Sequence, residues 1–297
     1  MRISLVIPVL NAAEALRTTL RSIRSAGTCG CEVIIRDGGS CDGIESVVEE
    51  FQDIISAFSS GKDGGQYEAI NTGFESTCGD VLAWLNAGDI FLPGTFDKVV
   101  EIFESHPDIR WLTGRQCIAR GGNPLIYPGR DVMVANHEIR FGLCQAGHAG
   151  FLQQEGMFWR RELWDACGGL DTTLKLAADF DLWMRMARLA SLCRVSVPLA
   201  AFSYDGNNRS VIGAVEYRKE MKTILDQNGV RWRAFRFAIS GLTVLLNVVS
   251  RVAVLRPILG ALLYVIGFPQ VETLEWRRRG ELGSFELSRR RRVSWAG

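Results

Sequence analysis

Three acidic positions stand where this chain can most readily do chemistry. The apolar run Val81-Leu82-Ala83-Trp84-Leu85 leads straight into Asn86-Ala87-Gly88-Asp89, so Asp89 follows a strand with a glycine beside it. Open α/β sheets hold ligands in the crevice outside the carboxyl ends of their strands. Small residues before the acid leave room for a hydrated divalent cation and the phosphates it carries. The same Asn, Gly and Asp also make an ordinary strand-to-loop turn, and both readings stand at this point. Upstream, Glu32-Val33-Ile34-Ile35-Arg36-Asp37 repeats the arrangement and ends in Gly38-Gly39-Ser40. Downstream, Ala178-Asp179-Phe180-Asp181 offers two carboxylates two residues apart. On a helix these lie about 200° apart, so they cannot both face one substrate.

The elements that must position these acids follow from periodicity. Ile3 to Pro8 reads as a strand, Ala12 to Ser25 as a helix, Glu32 to Asp37 as a strand and Ile44 to Phe51 as a helix. Strand and helix alternating at this spacing indicate βαβ units and a parallel sheet. Right-handed crossovers bring the carboxyl ends of the strands to one edge, so Asp37 and Asp89 face one crevice. A Gly-rich loop, Gly61 to Gln66, precedes a helix from Tyr67 that closes near Gly79, and Pro93 to Phe103 is a further amphipathic helix. Phe158-Trp159-Arg160-Arg161 is expected to open a helix that stops at Gly168-Gly169, and Asp179 to Arg188 another. No internal repeat is evident.

Composition narrows the class. With 47% hydrophobic and 23% charged residues over 297 positions, the chain buries a substantial core and is not a disordered one. The net charge of +1 hides a split: twelve Arg and four Glu from Val230 onward give +8, leaving −7 for residues 1–229. The eight Cys are scattered without a CxxC pair and read as reduced, structural thiols of a cytosolic protein. Met1-Arg2 leads directly into a strand, and no signal peptide is visible. From Arg231 the chain changes character. Phe237 to Ser250 and Ile258 to Phe268 are charge-free, yet each is shorter than the roughly twenty apolar residues that span a bilayer. With Arg277-Arg278-Arg279 and Arg289 to Arg292 they read as amphipathic helices on an anionic membrane interface, or packed on the body or on a second copy of the chain. The Arg runs are short and carry no nucleic-acid module.

The ordered set of motifs resembles the nucleotide-sugar domain of family 2 glycosyltransferases. The segments that carry the likeness are Val6-Ile7-Pro8-Val9-Leu10-Asn11, Ile34 to Gly43, Asp63-Gly64-Gly65-Gln66-Tyr67-Glu68-Ala69-Ile70-Asn71-Thr72-Gly73 and Trp84 to Asp89. Phe158 to Arg161, Gly168-Gly169-Leu170-Asp171 and Ala178 to Trp183 resemble the family's acceptor-side motif, so the likeness covers about residues 1–210. It implies a GT-A-type, Rossmann-like, open and mostly parallel α/β sheet flanked by helices, followed by the helical tail. Residues 1–110 then form the nucleotide-sugar half, 111–229 the acceptor and catalytic half, and 230–297 the tail.

By this resemblance Asp89 is the metal ligand, for Mn²⁺ or Mg²⁺. Asn86 and Gly88 stand where the family's D-x-D-like motif has acids, so only one carboxylate is offered. Pro8, Asn11, Asp37, Gly39, Asp63, Asn71 and Asn86 join Asp89 as donor-site residues, Asp37 toward the base. Asp179 is the base that takes the acceptor proton. Asp181, His148, Gln154 and Trp183 are acceptor-side candidates. Each also has a structural reading: Asp37 as a turn acid, Asn71 as a backbone tie, Asp181 as a helix-start acid, His148 as a loop histidine, Trp183 as core. The family's processive Q-x-x-R-W signature is missing; Tyr204-Asp205-Gly206-Asn207-Asn208-Arg209-Ser210 stands there. The implied reaction is single-displacement, inverting transfer of one sugar in the non-processive, colanic-acid or exopolysaccharide type of cell-surface synthesis. The donor is a UDP-, GDP- or dTDP-sugar and the acceptor a glycan hydroxyl on a polyprenyl or similar lipid. The protein would sit on the cytoplasmic face of the membrane, held through 231–297. The first turn, Pro8 to Ala12, is unlike that of a nucleotidyltransferase, and lacks the dinucleotide fingerprint of a nicotinamide dehydrogenase. A nucleotide-sugar-binding subunit without turnover remains the alternative.

Overall fold

The computed structural model describes all residues except 28–29, 121–122, 127–133, 143, 145–151, 205–212, 229–269, 280–283 and 294–297. It opens β1 (Ile3–Val9), α1 (Ala13–Ala26), β2 (Cys31–Asp37), α2 (Ile44–Glu50), β3 (Ala57–Ser60), α3 (Gln66–Glu75) and β4 (Val81–Trp84). There follow β5 (Ile90–Phe91), α4 (Thr95–Ser105), β6 (Trp111–Thr113), β7 (Cys117–Arg120), β8 (Asn123–Ile126) and α5 (Asn136–Arg140). The remainder is β9 (Met157–Arg160), α6 (Arg161–Cys167), α7 (Ala178–Leu189), β10 (Cys193–Val195), β11 (Ala200–Ser203), α8 (Ala214–Gln227), β12 (Gln270–Arg279) and β13 (Ser284–Val293).

Nine strands form one sheet in the order β13-β12-β10-β6-β9-β4-β1-β2-β3, and β5-β11-β7-β8 form a second, small one. The pairs β1·β2, β1·β4, β2·β3, β6·β10 and β10·β12 are parallel, while β9 runs antiparallel between β4 and β6. The mostly parallel α/β sheet expected from the sequence is therefore present. It continues across residue 110, joining the two halves into one sheet.

β1 is buried at every position because helices cover both faces. Ile3, Leu5 and Ile7 face α1 and α4, whereas Val6 faces α3, as the two-residue period of a strand requires. α1 packs through Leu16, Leu20 and Ile23, one stripe of a helix. α3 lies so close to β1 that a Cβ on Gly73 would meet Val6 Cγ1 at 2.6 Å. The strand also runs one residue past Pro8. Val6 O accepts from Leu85 N, so by alternation Pro8 turns its nitrogen toward β4, which has already ended there. The missing N–H breaks no ladder bond.

Two expectations change. Met157–Arg160 is a strand, not the start of a helix; its bulky apolar residues fill a sheet slot, and α6 begins at Arg161. The described part of the tail is a β-hairpin, not helical. β12 pairs in parallel with the edge of β10, and Thr273 and Leu274 are buried there. The β-branched Val271 and Thr273 suit that edge better than a helix. Arg289 holds the hairpin to Asp108 at 2.6 Å. The apolar stretches 237–250 and 258–268 lie outside the described residues. Among the described residues no helix is long and apolar enough to cross a membrane.

Candidate active site

The loops leaving β1, β2 and β4 come together at the carboxyl edge of the sheet. Asn11, with φ +48°, donates its backbone amide to Ser40 Oγ at 2.7 Å, and its Oδ1 accepts from Cys41 N at 3.0 Å. Asp37, 3% exposed, accepts from Ser40 N at 3.0 Å, from Gly39 N at 3.3 Å and from the hydroxyls of Ser40 and Ser60 at 2.5 Å each. Burial pushes its carboxyl up, but these hydroxyls and amides outweigh that and hold it below the usual carboxylate range. Asp37 thus organises the loop that carries Gly39, whose φ is +88°. Asp63 lies against Gly38 and accepts from Gly65 N at 2.9 Å, starting α3.

A line of side-chain amides crosses the floor of the crevice. Gln66 Nε2 donates to Asn86 Oδ1 at 2.6 Å, Asn86 Nδ2 to Gln154 Oε1 at 3.4 Å, and Gln154 Nε2 to Trp84 O at 2.6 Å. Asp89 is 4% exposed and accepts from Ser203 N at 2.8 Å, while its carbonyl accepts from Thr19 Oγ1 at 2.8 Å. Burial first, then repulsion from Glu155, raises its carboxyl well above the usual range. Glu155 is pushed up to about 7, by burial and then by Asp179. An acid forced up by burial, with no cationic partner among the described residues, is held in a place that suits a bound cation. Among the described residues no set of three or more His, Cys, Asp or Glu is arranged to hold a metal. The protein donors near Asp89 are therefore few, which fits a cation bound mainly through diphosphate and water.

Asp179 opens α7 and lines a small pocket with Ile139, Trp183, Met184 and Tyr217. It keeps an opening to solvent although protein surrounds it, and burial raises its carboxyl to about 6. The Tyr217 hydroxyl on α8 donates to it, and Glu220, one turn on, repels it. Glu220 in turn accepts from the backbone amides of Lys175, Leu176 and Ala177, each at 2.9 Å, so α8 clamps the entry to α7.

Several anticipated residues also have partners within the protein. Asn71 makes paired bonds with the backbone of Leu170, at 2.9 and 3.0 Å. Asp181 pairs with Arg185 at 2.7 Å, four residues along α7. Trp183 is buried and stacks on Trp84 with ring centroids 5.7 Å apart. His148 lies outside the described residues. The thiols of Cys117, Cys144 and Cys167 are raised by burial, and that of Cys31 to about 12, the reverse of what a nucleophile needs. Sequence reasoning overlooked Glu155, Ser203, Tyr217 and Glu220. Glu155 adjoins Gln154, which was singled out, but nothing in the local pattern marks it as buried.

Residues 4–146 match the family described as "Glycosyl transferase family 2". That match takes in a little under half of the chain. An uncharacterized glycosyltransferase of Rickettsia typhi is 24% identical over 192 residues, covering 64% of this chain and 60% of that one. The chain thus spans about three-fifths of the length of that curated relative. Among solved structures, S. aureus TarS 1-349 in complex with UDP-GlcNAc aligns with a TM-score of 0.56 at 16% identity, over 70% of this chain and 60% of that one. The mannosyltransferase PcManGT of Pyrobaculum calidifontis, in complex with GDP-Man and Mn²⁺, gives 0.56 at 18%, over 78% and 64%. At these identities the likeness is one of fold, the GT-A type.

Proposed function

We propose that this protein transfers a single sugar from a nucleotide-sugar donor to a glycan hydroxyl by one inverting displacement. The observation that carries the reading is Asp179: a carboxylate raised to about 6, at a pocket, and within charge repulsion of Glu155, which in turn repels Asp89. At pH 7 it is mostly ionised and is a stronger base than an ordinary aspartate. Tyr217 orients it, and Glu220 holds the first turn that carries it. The sequence pattern offers one base and no separate nucleophile motif, which favours one displacement over two.

Residues 1–110 bind the donor in this reading and 111–229 the acceptor. The loop organised by Asp37 leaves backbone close to a planar base at Gly38 and Gly39, and Asn86 faces the ribose. Asp89 holds a divalent cation, which neutralises the charge that builds on the leaving diphosphate. The UDP-GlcNAc and GDP-Man of the two structural relatives support this donor class, and the Mn²⁺ of the second supports the metal. The acceptor is a lipid-linked glycan, reached from the cytoplasmic membrane face through the basic tail, in cell-surface polysaccharide synthesis.

The test is a panel of UDP-, GDP- and dTDP-sugars incubated with the protein, Mn²⁺ or Mg²⁺ and a membrane lipid extract. Nucleoside diphosphate release from one donor, dependent on lipid and lost in Asp89→Ala, is expected. Binding of donors without release from any would replace this reading with a non-catalytic subunit.

A further inference from the structure

Asp89 is the lone acid of its own loop, because Gly88 and Asn86 stand at the neighbouring positions. That loop cannot readily regain one. Gly88 has φ +105°, its amide donates to Thr19 Oγ1 at 2.8 Å, and its carbonyl accepts from Ser203 Oγ at 2.5 Å. A second carboxylate arrives from a distant part of the chain. Glu155 lies in the turn entering β9, and that turn is fastened to the end of β4 by Gln154 Nε2 on Trp84 O and closed by Met157 N on Gln154 O at 3.0 Å.

Glu155 is 6% exposed, and its Oε2 has no hydrogen-bond partner among the described residues. A bare, buried carboxylate oxygen is a costly arrangement unless a ligand relieves it. Asp89 and Asp179 are the acids within its electrostatic reach: Glu155 repels the first and is repelled by the second. Among the described residues neither Glu155 nor Asp89 forms an ion pair with Lys, Arg or His. Two acidic groups from different elements, with no Lys, Arg or His paired to either among the described residues, match the demand of a hard divalent ion.

We propose that Glu155 is the second protein ligand of the divalent cation held at Asp89, supplying the acid that the Asn86–Asp89 loop lacks. This rests on the assignment of Asp89 above. The donor set is then one carboxylate from the loop after β4 and one from the turn before β9, with the remaining positions left to diphosphate oxygens and water. The ion would tie the donor half of the sheet to the acceptor half.

The test is Mn²⁺ binding to the full chain, followed by the electron paramagnetic resonance signal of free Mn²⁺. It is run with UDP in one arm and GDP in the other. Wild type, Glu155→Gln, Glu155→Asp and Asp89→Asn are compared, with thermal unfolding of each in EDTA. Glu155→Gln is expected to weaken Mn²⁺ binding at least tenfold and Glu155→Asp severalfold. In EDTA, Glu155→Gln should unfold at or above the wild-type temperature, since it removes a repulsion; Mn²⁺ plus nucleotide should raise the wild type and leave the variant behind. Should the Gln variant not fold, the shortened carboxylate of Glu155→Asp decides alone. Wild-type Mn²⁺ affinity in both Glu155 variants, with binding lost in Asp89→Asn, overturns the role of Glu155 and leaves that of Asp89 standing. No Mn²⁺ binding by wild type in either arm overturns both assignments, while donor turnover in EDTA would still leave the transferase reading intact.

Discussion

At the residue scale the site is built on carboxylates whose surroundings set them apart. Asp37 is held low by four donors and serves its loop, whereas Asp179 is raised to about 6 and faces a pocket. A base must be ionised, so kcat/KM should fall as pH drops through about 6, and that limb should vanish in Asp179→Asn. The groups facing Asp179 are the Tyr217 hydroxyl, Glu220 and Glu155, so the limb reports this cluster. The sign for stability follows from linkage. A carboxyl raised in the fold holds its proton more tightly than the unfolded chain does, which favours the fold at low pH. That advantage is lost as pH rises from the ordinary carboxylate range through about 6. Asp179→Asn should therefore be more stable than wild type at pH 7, by about 1–2 kcal/mol once solvent access is discounted, with the gain shrinking toward pH 4. Thermal unfolding at the two pH values checks it. Of these acids, Asp37, Asp89 and Asp179 were visible in the sequence because each sits at a strand end or helix start. Glu155 was not, since its meaning comes from a neighbour 66 residues away in the sequence.

At the element scale the site depends on how helices are fastened. α8 grips the start of α7 through one carboxylate on three amides. Glu220→Ala leaves those amides without their partner and should cost about 1–3 kcal/mol in denaturant unfolding. It should also lower kcat more than it raises KM, because Asp179 loses its platform, and Glu220→Gln should recover part of both. Periodicity disclosed α1, α2, α4 and α7 to within a residue or two, since each has one apolar stripe against the sheet. It misassigned Met157–Arg160, where a run of bulky apolar residues suits helix and buried strand alike until the slot between β4 and β6 is known. Asn71 reads from its motif either as a donor-site residue or as a backbone tie, and its paired bonds to Leu170 link α3 to the turn before α7.

At the scale of the whole molecule a single sheet joins the donor loops to the acceptor side, and its far edge is closed by the hairpin β12–β13. The sequence pointed to a parallel α/β sheet from the βαβ spacing alone. It could not reveal the hairpin, because pairing of β12 with β10 links residues about 80 positions apart. Ending the chain at Phe268 would strip that edge and remove Leu274 from the core, so lower thermal stability and concentration-dependent association are expected by light scattering. Arg289→Ala alone should cost no more than about 1 kcal/mol, as an exposed ion pair does.

The central claim is catalytic transfer with Asp179 as base, and the most direct measurement is nucleoside diphosphate release by wild type and Asp179→Asn. Both would be followed with the preferred donor and lipid acceptor at saturating concentrations. A loss of about a hundredfold or more in kcat, with donor affinity unchanged, is the predicted result. Equal release by the two proteins would contradict the account.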